Sequence, residues 1–432
     1  LVTHLVESGR IASPGRIAAA LLFTTQSTID TTVAIAKKIR SMKFAYHDNG
    51  GCETPADVSW QRCEGRFDAW DFRHDALYVT EGEAEPQQGY TLGVTTWLPK
   101  AGKGPFPTIV FGHGLTGDRY QAGELAELAT SAGYAVVAID AVKHGAHPDH
   151  PSSSASLPVL LAFFGISLDL SDALDTRKLR DNWRQSTFDQ LQLVETLRPG
   201  VDVDLDGTAD VGLDNLVWVG VSLGGVMSAA FLALVPEADV GVAIVPGARV
   251  FDIVQHGEQF APIVGIMRGE SSNGQVARFF PLLQTAVDRG DAGVWTRHVV
   301  HERLPGFDSG RPQVLVQMAV DDEIIPTTCN LYFARGLRID HVGPALLPVG
   351  VVAHVAELPL GANVDAQHTA GLFQFDVVVQ GDGTLKKAGH GNVPANQVAT
   401  VQTMHFVDSF FVNGLSELID PYVTLGLKPA AP

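Results

Sequence analysis

Cysteine, basic residues and long apolar runs are all scarce in this chain. Three cysteines among 432 residues are too few for a scaffold built on many disulfides. The 30 Lys and Arg are outnumbered by 48 Asp and Glu, and the resulting net charge of −18 argues against binding to nucleic acid or to anionic membranes. No apolar run reaches the roughly eighteen residues that a transmembrane helix needs. The chain also starts at Leu1 without a signal-like segment, so we expect a mature or trimmed chain.

Two of the three cysteines lie close together in a polar segment. Cys52 and Cys63 share this stretch with Gly50 and Pro55, and we interpret it as a loop closed by a disulfide that contributes about 2–3 kcal/mol. Two free thiols, or a metal site short of ligands, are the alternatives. The third cysteine, Cys329, falls at the start of an expected helix and is interpreted as a small buried residue.

Hydrophobic residues make up 45% of the chain, enough for a large core, and they are patterned as strands that alternate with helices. Such alternation predicts an α/β fold in which a mostly parallel sheet is covered by helices on both faces. Strands are expected over 76–80, 90–98, 108–112, 135–140, 216–221, 240–245, 314–320 and 372–379. Helices are expected over 27–42, 123–132, 176–197, 226–234 and from 394 onward.

The chain is expected to divide near residue 75. Residues 1–75 are interpreted as an N-terminal extension, made of a helix and the Cys52–Cys63 loop, that packs on the core. Residues 76–432 then form one large domain. Within it, two insertions of about 151–175 and 251–304 interrupt the alternation, and they are too apolar to be disordered.

A Gly-x-Ser-x-Gly sequence, residues 220–224, joins the strand at 216–221 to the next helix. A serine at such a sharp turn has a strained backbone, and the flanking glycines allow chain and substrate to approach closely. The hydroxyl of Ser222 then stands at a helix N-terminus, where backbone N–H groups, including that of Leu223, can stabilise an oxyanion. This context makes Ser222 the candidate nucleophile; a Gly/Ser-rich turn without chemistry is the alternative.

A serine hydroxyl needs a base within hydrogen-bond distance and a carboxylate that orients the base. Asp321 and Asp322 follow a predicted strand, at the edge where parallel sheets hold their active sites. Three late histidines compete for the role of base: His368, His390 and His405. The first precedes a strand, the second lies in a flexible loop and the third falls within a helix.

Together these segments resemble the α/β-hydrolase superfamily, from about residue 90 to the C-terminal helix. Members often carry Gly-x-x-Asp-x-x-Val-Pro after this strand, and residues 319–326 here have Ala for the Gly and Ile for the Val. The resemblance implies Asp322 as the acid of a catalytic triad, with Asp321 as its neighbour. It also implies that His390, in a Gly-His loop, is the base.

The resemblance further implies a second donor to the oxyanion. His113 and Gly114 follow the strand at 108–112, as a His-Gly pair does in the superfamily. The backbone N–H of Leu115 is then the donor, and Thr116 is the near alternative. His113 is expected to shape the loop rather than to titrate.

The two insertions are expected to form a cap over Ser222. Their apolar residues would line an acyl pocket, and extra helices that only thicken the core are the alternative. The candidate pocket residues are Phe163, Phe164, Phe260, Met267 and Phe279.

Carboxylates alternate between residues 202 and 210 in the pattern Asp-x-Asp-x-Asp-Gly. Alternating oxygens around a glycine turn can bind Ca²⁺, although the twelfth position of the EF-hand pattern is Leu213 rather than Glu. We expect a structural Ca²⁺ site here, with a polar surface turn as the alternative. The candidate ligands are Asp202, Asp204, Asp206, Thr208 and Asp210.

A second group of metal-ligating residue types follows the strand at 135–140 and consists of His144, His147, Asp149 and His150. Their spacing suits a transition metal only loosely. The superfamily commonly carries Asp and His-Gly in this loop without a metal, so the metal-free interpretation is favoured.

The sequence thus predicts a serine carboxylic-ester hydrolase of esterase or lipase type that needs no cofactor for catalysis. Apolar insertions favour small-molecule, lipid or polyester esters as substrates. The segment 22–27 and the acidic turn are similar to those of bacterial extracellular lipases, which implies a secreted or surface-anchored protein, with the periplasm as an alternative. The same residues could cleave peptide or lactone bonds, and a non-catalytic binding module of this fold is a further alternative.

Overall fold

The computed structural model describes residues 6–9, 25–151, 155–166 and 175–427. Within these ranges the strands are β1 (Tyr46–Glu53), β2 (Trp60–Asp71), β3 (Gln88–Pro99), β4 (Thr108–Gly112), β5 (Ala135–Ile139), β6 (Leu216–Val221), β7 (Ala238–Ile244), β8 (Gln313–Ala319), β9 (Asp340–Val342), β10 (His354–Val355), β11 (Ala370–Phe375), β12 (Val377–Val379) and β13 (Leu385–Lys387). The α-helices are α1 (Asp30–Arg40), α2 (Gly123–Ser131), α3 (Ser156–Phe163), α4 (Thr176–Leu197), α5 (Leu223–Leu234), α6 (Val250–His256), α7 (Ala261–Arg268), α8 (Asn273–Val287), α9 (Ala292–Trp295), α10 (Thr327–Leu337), α11 (Gln397–Asn413) and α12 (Pro421–Thr424).

Eleven of the described strands form one sheet in the order β1-β2-β3-β5-β4-β6-β7-β8-β11-β9-β10. Neighbours from β5 to β10 pair in parallel. The pairs β1/β2, β2/β3 and β3/β5 are antiparallel, and β12 and β13 form a separate antiparallel pair. The predicted mostly parallel sheet is confirmed, and an antiparallel edge extends it.

Side chains of the central strands enter two apolar cores, one on each face of the sheet. In β6, Val217 and Val219 belong to one core, which α2 and α11 complete, whereas Leu216 and Trp218 belong to the other, which α4 and α5 complete. Alternate residues of a strand point to opposite faces, so a strand that is buried on both sides must be apolar throughout. This confirms the expectation that helices cover both faces.

The prediction of a polar loop around Cys52 and Cys63 is wrong, because both residues lie in strands. Cys52 in β1 lies directly opposite Cys63 in β2, and the two form a disulfide. The inward positions of β2 include the small residues Gly65 and Ala69, which carry little hydrophobic signal, and this hid the strand. Cys329 is a buried free thiol, as expected.

The prediction of a strand over residues 76–80 is also wrong. Asp75 and Ala76 both have positive φ angles, of 51° and 54°, which an extended strand cannot contain. These residues instead form a turn that an isolated bridge between His74 and Tyr78 closes.

One sheet runs across the domain boundary expected near residue 75. β2 pairs with β3 along its whole length, and α1 packs against α4.

Among the described helices, none combines the length and apolarity needed to cross a membrane.

Helix α4 is buried although much of its sequence is polar. Its glutamines reach the neighbouring antiparallel edge: Gln185 accepts a hydrogen bond from the N–H of Phe72 at 2.8 Å, and Gln192 accepts one from Trp70 at 2.7 Å. Polar groups are stable in a protein interior when they are hydrogen-bonded in this way. The helix therefore ties the N-terminal strands to the rest of the sheet.

The two insertions form helices at the C-terminal edge of the sheet. Helix α3 comes from the first insertion, of which residues 152–154 and 167–174 lie outside the described ranges. Helices α6 to α9 come from the second.

Candidate active site

Ser222 lies at the tight turn between β6 and α5. Its φ of +54° is rare for a residue with a side chain and costs about 1–3 kcal/mol of strain. The glycines around it are sterically required: a Cβ at Gly224 would lie 2.1 Å from the carbonyl oxygen of Gly112, and one at Gly220 would lie 2.2 Å from that of Gly224. The turn therefore holds the serine hydroxyl at the carboxyl end of the sheet.

The structure brings Ser222, His390 and Asp322 together. The Nε2 atom of His390 lies 2.8 Å from the Oγ of Ser222, and its Nδ1 lies 2.9 Å from each carboxylate oxygen of Asp322. Because a carboxylate only accepts, Nδ1 carries the proton that it donates to Asp322. Nε2 is thus left as an acceptor for the serine O–H.

Asp322 and its neighbour Asp321 have different surroundings. Asp322 is buried, and its Oδ1 also accepts hydrogen bonds from the N–H groups of Ile324 at 3.0 Å and Ile325 at 2.7 Å. Asp321 pairs with Lys387 at 3.1 Å on the protein surface. Two backbone donors and His390 therefore hold Asp322 in one orientation.

The two alternative histidines have other partners. The Nδ1 of His368 lies 2.7 Å from Asp365, and the Nε2 of His405 lies 3.0 Å from Glu417. Of the three candidates, the structure places His390 beside Ser222.

Glu323 holds the histidine loop, and sequence reasoning missed it. Its Oε2 accepts a hydrogen bond from the backbone N–H of His390 at 3.0 Å. A Cβ at Gly389 would lie 2.8 Å from the same oxygen, so glycine leaves room for the carboxylate. Asn392 accepts a further bond from the N–H of Gly389 at 2.9 Å. The glycine directly before His390 was the sequence feature that could have indicated this close contact with Glu323.

The loop after β4 is tied to the start of α5 close to the serine. The N–H of Gly224 donates to the carbonyl of His113 at 3.0 Å, and the N–H of Gly114 donates to the Oε1 of Gln121 at 2.7 Å. A Cβ at Gly114 would lie only 3.6 Å from that of Ser222. The loop thus brings backbone to the position where an ester carbonyl would lie.

The proposed oxyanion donors differ in their surroundings. Leu223 occupies the first position of α5, so its N–H has no acceptor within the helix. Leu115 lines both of the cavities that border Ser222. Thr116 is exposed and has a φ of +65°.

His113 is buried and neutral. Its Nε2 accepts a hydrogen bond from the N–H of Ala141 at 2.9 Å, so its Nδ1 carries a proton that it donates to the carbonyl of Gly114 at 2.8 Å. Burial lowers the pKa of His113 below its ordinary value. The ring therefore braces the loop as a neutral group.

Two cavities of different size and polarity meet at Ser222. One has a volume of about 30 Å³ and is lined mainly by apolar side chains. The other has a volume of about 200 Å³ and is lined by His390 together with Gln121, Glu124 and Gln259. We call them the narrow cavity and the wide cleft.

Three of the five predicted pocket residues line the narrow cavity: Phe163, Phe164 and Phe260. Trp183 of α4 also lines it, although α4 lies outside both insertions. Phe279 does not belong to it, because it is half exposed in a separate surface hollow beside Leu282. The side chain of Met267 lies outside the described part of the structure.

The acidic turn brings some of the predicted metal ligands together. Oxygens of Asp202, Asp204 and Asp210 lie within 4.8 Å of one another. Burial and the nearby carboxylates of Asp204 and Asp202 raise the pKa of Asp210. Asp206 is not part of this group and instead accepts a hydrogen bond from the N–H of Thr208 at 2.8 Å.

The histidine-rich loop after β5 does not converge on one point within the described residues. The Nδ1 of His144 bonds the carbonyl of Val142 at 2.8 Å, and burial lowers the pKa of His144 to about 3. His147 instead pairs with Asp189 at 3.2 Å, and Asp149 pairs with Arg73 and Lys143. These contacts stabilise the loop.

Comparison with known proteins gives a structural likeness only. No protein-family model matches the chain, and no curated protein matches its sequence. An acetyl xylan esterase from Paenibacillus sp. R4 superimposes with a TM-score of 0.53 at 14% identity, over 90% of this chain and 96% of that protein.

Two further solved structures are less similar. Acetyl xylan esterase 1 from Thermoanaerobacterium sp. JW/SL YS485 has a TM-score of 0.48 at 14% identity, over 85% of this chain and 90% of that protein. A cold-adapted esterase from an Arctic intertidal metagenomic library has a TM-score of 0.36 at 16% identity, over 84% and 97%. The sheet order and the Paenibacillus likeness together show that the chain has the α/β-hydrolase fold.

Proposed function

We propose that this protein is a serine carboxylic-ester hydrolase in which Ser222 is the nucleophile, His390 the general base and Asp322 the carboxylate that orients the histidine. The observation that carries the proposal is the hydrogen-bonded chain from the Ser222 hydroxyl through both ring nitrogens of His390 to Asp322. A serine nucleophile, a base and an orienting acid are the parts that this chemistry needs.

In the first half of the reaction, the Ser222 oxygen attacks the ester carbonyl while Nε2 of His390 takes its proton. Asp322 stabilises the imidazolium that forms. The N–H groups of Leu223 and Leu115 are proposed to bind the tetrahedral oxyanion. The intermediate collapses, the histidine proton passes to the leaving alcohol, and an acyl-Ser222 ester remains.

In the second half, a water molecule attacks the acyl-Ser222 carbonyl and gives its proton to His390. Collapse releases the carboxylic acid and returns the proton from His390 to the serine oxygen. The neutral tautomer with the proton on Nδ1 is therefore restored after each turnover.

Ester hydrolysis is favoured over peptide or lactone cleavage by the Paenibacillus likeness, since that protein is described as an acetyl xylan esterase. The disulfide between Cys52 and Cys63 supports an oxidising location, either extracellular or periplasmic.

The proposal is tested by incubating the purified protein with p-nitrophenyl acetate and, separately, with a fluorophosphonate probe. We expect hydrolysis and a single covalent adduct on Ser222, located by peptide mass spectrometry. A protein that hydrolyses no ester and takes up no probe would contradict the proposal and favour the non-catalytic binding module.

Calcium binding at the acidic turn stays a prediction. The gathered oxygens of Asp202, Asp204 and Asp210 are of the hard type that Ca²⁺ prefers. Addition of 1 mM Ca²⁺ after EDTA treatment is expected to raise the melting temperature by about 3 °C, because a ligand that binds the folded state stabilises it.

The Asp202→Asn variant is expected to lose most of this calcium-dependent shift, which differential scanning calorimetry would measure. Asp206→Asn is the matched control, because Asp206 lies outside the gathered group. If the wild type melts at the same temperature with Ca²⁺ and with EDTA, the calcium prediction is wrong. The acidic segment is then a polar surface turn without a bound metal.

A further inference from the structure

We infer that the site divides an ester unequally: an acyl group no larger than acetyl or propionyl occupies the narrow cavity, and a larger, polar alcohol occupies the wide cleft. The inference rests on the proposed function and adds its substrate class.

The position of His390 decides which part of the ester lies where. In an ester hydrolase the base that takes the serine proton must deliver it to the leaving alcohol oxygen, so that oxygen lies beside Nε2. His390 lines the wide cleft together with Gly391 and Pro394. The narrow cavity is lined instead by Leu223, Val226 and the aromatic rings, and His390 does not belong to its described lining. The alcohol therefore faces the wide cleft, and the acyl chain faces the narrow cavity.

The size of the narrow cavity limits the acyl chain. A volume of about 30 Å³ holds about two water-sized groups, which suits the one carbon beyond the carbonyl in acetate or the two in propionate. A longer chain would have to displace the cavity wall.

The rings of that wall already pack against one another. The ring centroids of Phe164 and Phe260 lie 5.3 Å apart, and those of Phe163 and Trp183 lie 5.6 Å apart. All four side chains are buried. Close-packed side chains yield little space without strain, so the wall opposes further methylene groups.

The wide cleft is larger and more polar than the narrow cavity. Its volume is about 200 Å³, and Gln121, Glu124 and Gln259 line it together with His390. Amide and carboxylate groups offer hydrogen bonds to hydroxyl groups, and the charge of Glu124 disfavours an anionic alcohol. A neutral, hydroxyl-bearing alcohol fits this side best.

The test compares p-nitrophenyl acetate, butyrate and octanoate, which share one leaving group. We expect kcat/KM to fall by about a hundredfold or more from acetate to octanoate, because methylene groups that do not fit a pocket cost about tenfold or more each in specificity. Naphthyl acetate, with a larger alcohol, is expected to stay within about tenfold of p-nitrophenyl acetate.

Variants of the cavity wall then test which side chains limit the length of the acyl chain. Phe164→Ala is expected to raise the ratio of octanoate to acetate kcat/KM by about tenfold or more, and Ile253→Ala, a smaller change in the same wall, serves if the first variant does not fold. Phe279→Ala is the matched control, because this phenylalanine lies in the second insertion but lines a separate hollow. It is expected to leave the ratio unchanged.

The outcomes separate this inference from the proposed function. A wild type that reacts with fluorophosphonate yet hydrolyses octanoate as efficiently as acetate overturns the inference alone. The same holds if folded Phe164→Ala and Ile253→Ala keep the wild-type ratio. A wild type that hydrolyses no ester and takes up no probe overturns both.

Discussion

Replacement of Ser222 by alanine is expected to lower kcat/KM for p-nitrophenyl acetate by about ten-thousandfold or more. The hydroxyl oxygen is the atom that forms the acyl-enzyme in the proposed reaction, and alanine offers no group to replace it. The remaining donors could still bind a carbonyl oxygen, so a small residual rate above that of water is expected. Steady-state kinetics on matched preparations measures the effect.

The alanine variant should fold like the wild type. The Ser222 hydroxyl contacts His390, and the turn itself depends on the glycines at positions 220 and 224. Circular dichroism and thermal unfolding are therefore expected to be nearly unchanged, while labelling by fluorophosphonate is lost. A folded alanine variant with full activity would place the nucleophile elsewhere.

Replacement of Asp322 by asparagine is expected to lower kcat by about a thousandfold or more. Asparagine can still accept the bonds from Ile324 and Ile325, so the loop should keep its shape. However, a neutral amide no longer stabilises the imidazolium of His390, and its NH₂ group favours the tautomer with the proton on Nε2. That tautomer cannot take the serine proton.

Asp321→Asn is the matched control for this variant. Asp321 is the adjacent carboxylate, but it is exposed and paired with Lys387, and surface ion pairs of this kind contribute about 0–1 kcal/mol. Its kcat is expected to remain within about twofold of the wild type. Equal losses in the two variants would contradict the role proposed for Asp322.

The strands in the middle of the sheet were predictable from local sequence. β4, β6 and helix α4 have the predicted bounds, and most other predicted elements differ from theirs by a few residues. The strand predicted over 372–379 is wrong as one element, because it divides into β11 of the large sheet and β12 of the separate pair. A strand that is covered on both faces is a continuous apolar run bounded by turn residues. Such a run is visible without knowledge of its neighbours.

The outer strands β1 and β2 of the antiparallel edge were not predictable in the same way, whereas β3 was predicted over 90–98. In β2, Phe67 alternates with charged residues such as Arg66 and Asp68, and one face is solvent-exposed. The pairing of β1 with β2, and of β2 with β3, makes these polar stretches strands. Strand formation there depends on neighbours that are distant in sequence.

The burial of helix α4 was likewise not predictable from its local sequence. Its polar residues suggest an exposed face, yet Asn182, Gln185 and Asp189 are buried. Asn182 accepts a hydrogen bond from Arg73 at 2.7 Å, and Gln185 bonds the backbone of the antiparallel edge. Packing against residues 30–73, together with contacts from Tyr90 to Asp189 and from Asn182 to Phe163, makes these positions interior.

The sequence by itself determined the α/β architecture and the position of Ser222, because a buried strand, a glycine-flanked serine and a helix follow one another within a few turns of chain. It also identified three histidines and two aspartates as candidate partners. Only the tertiary structure decided which of them meet, since His390 lies 168 residues from Ser222 and 68 from Asp322 along the chain. The size of the narrow cavity was decided there too, because it depends on how rings from α3, α4 and the second insertion pack together.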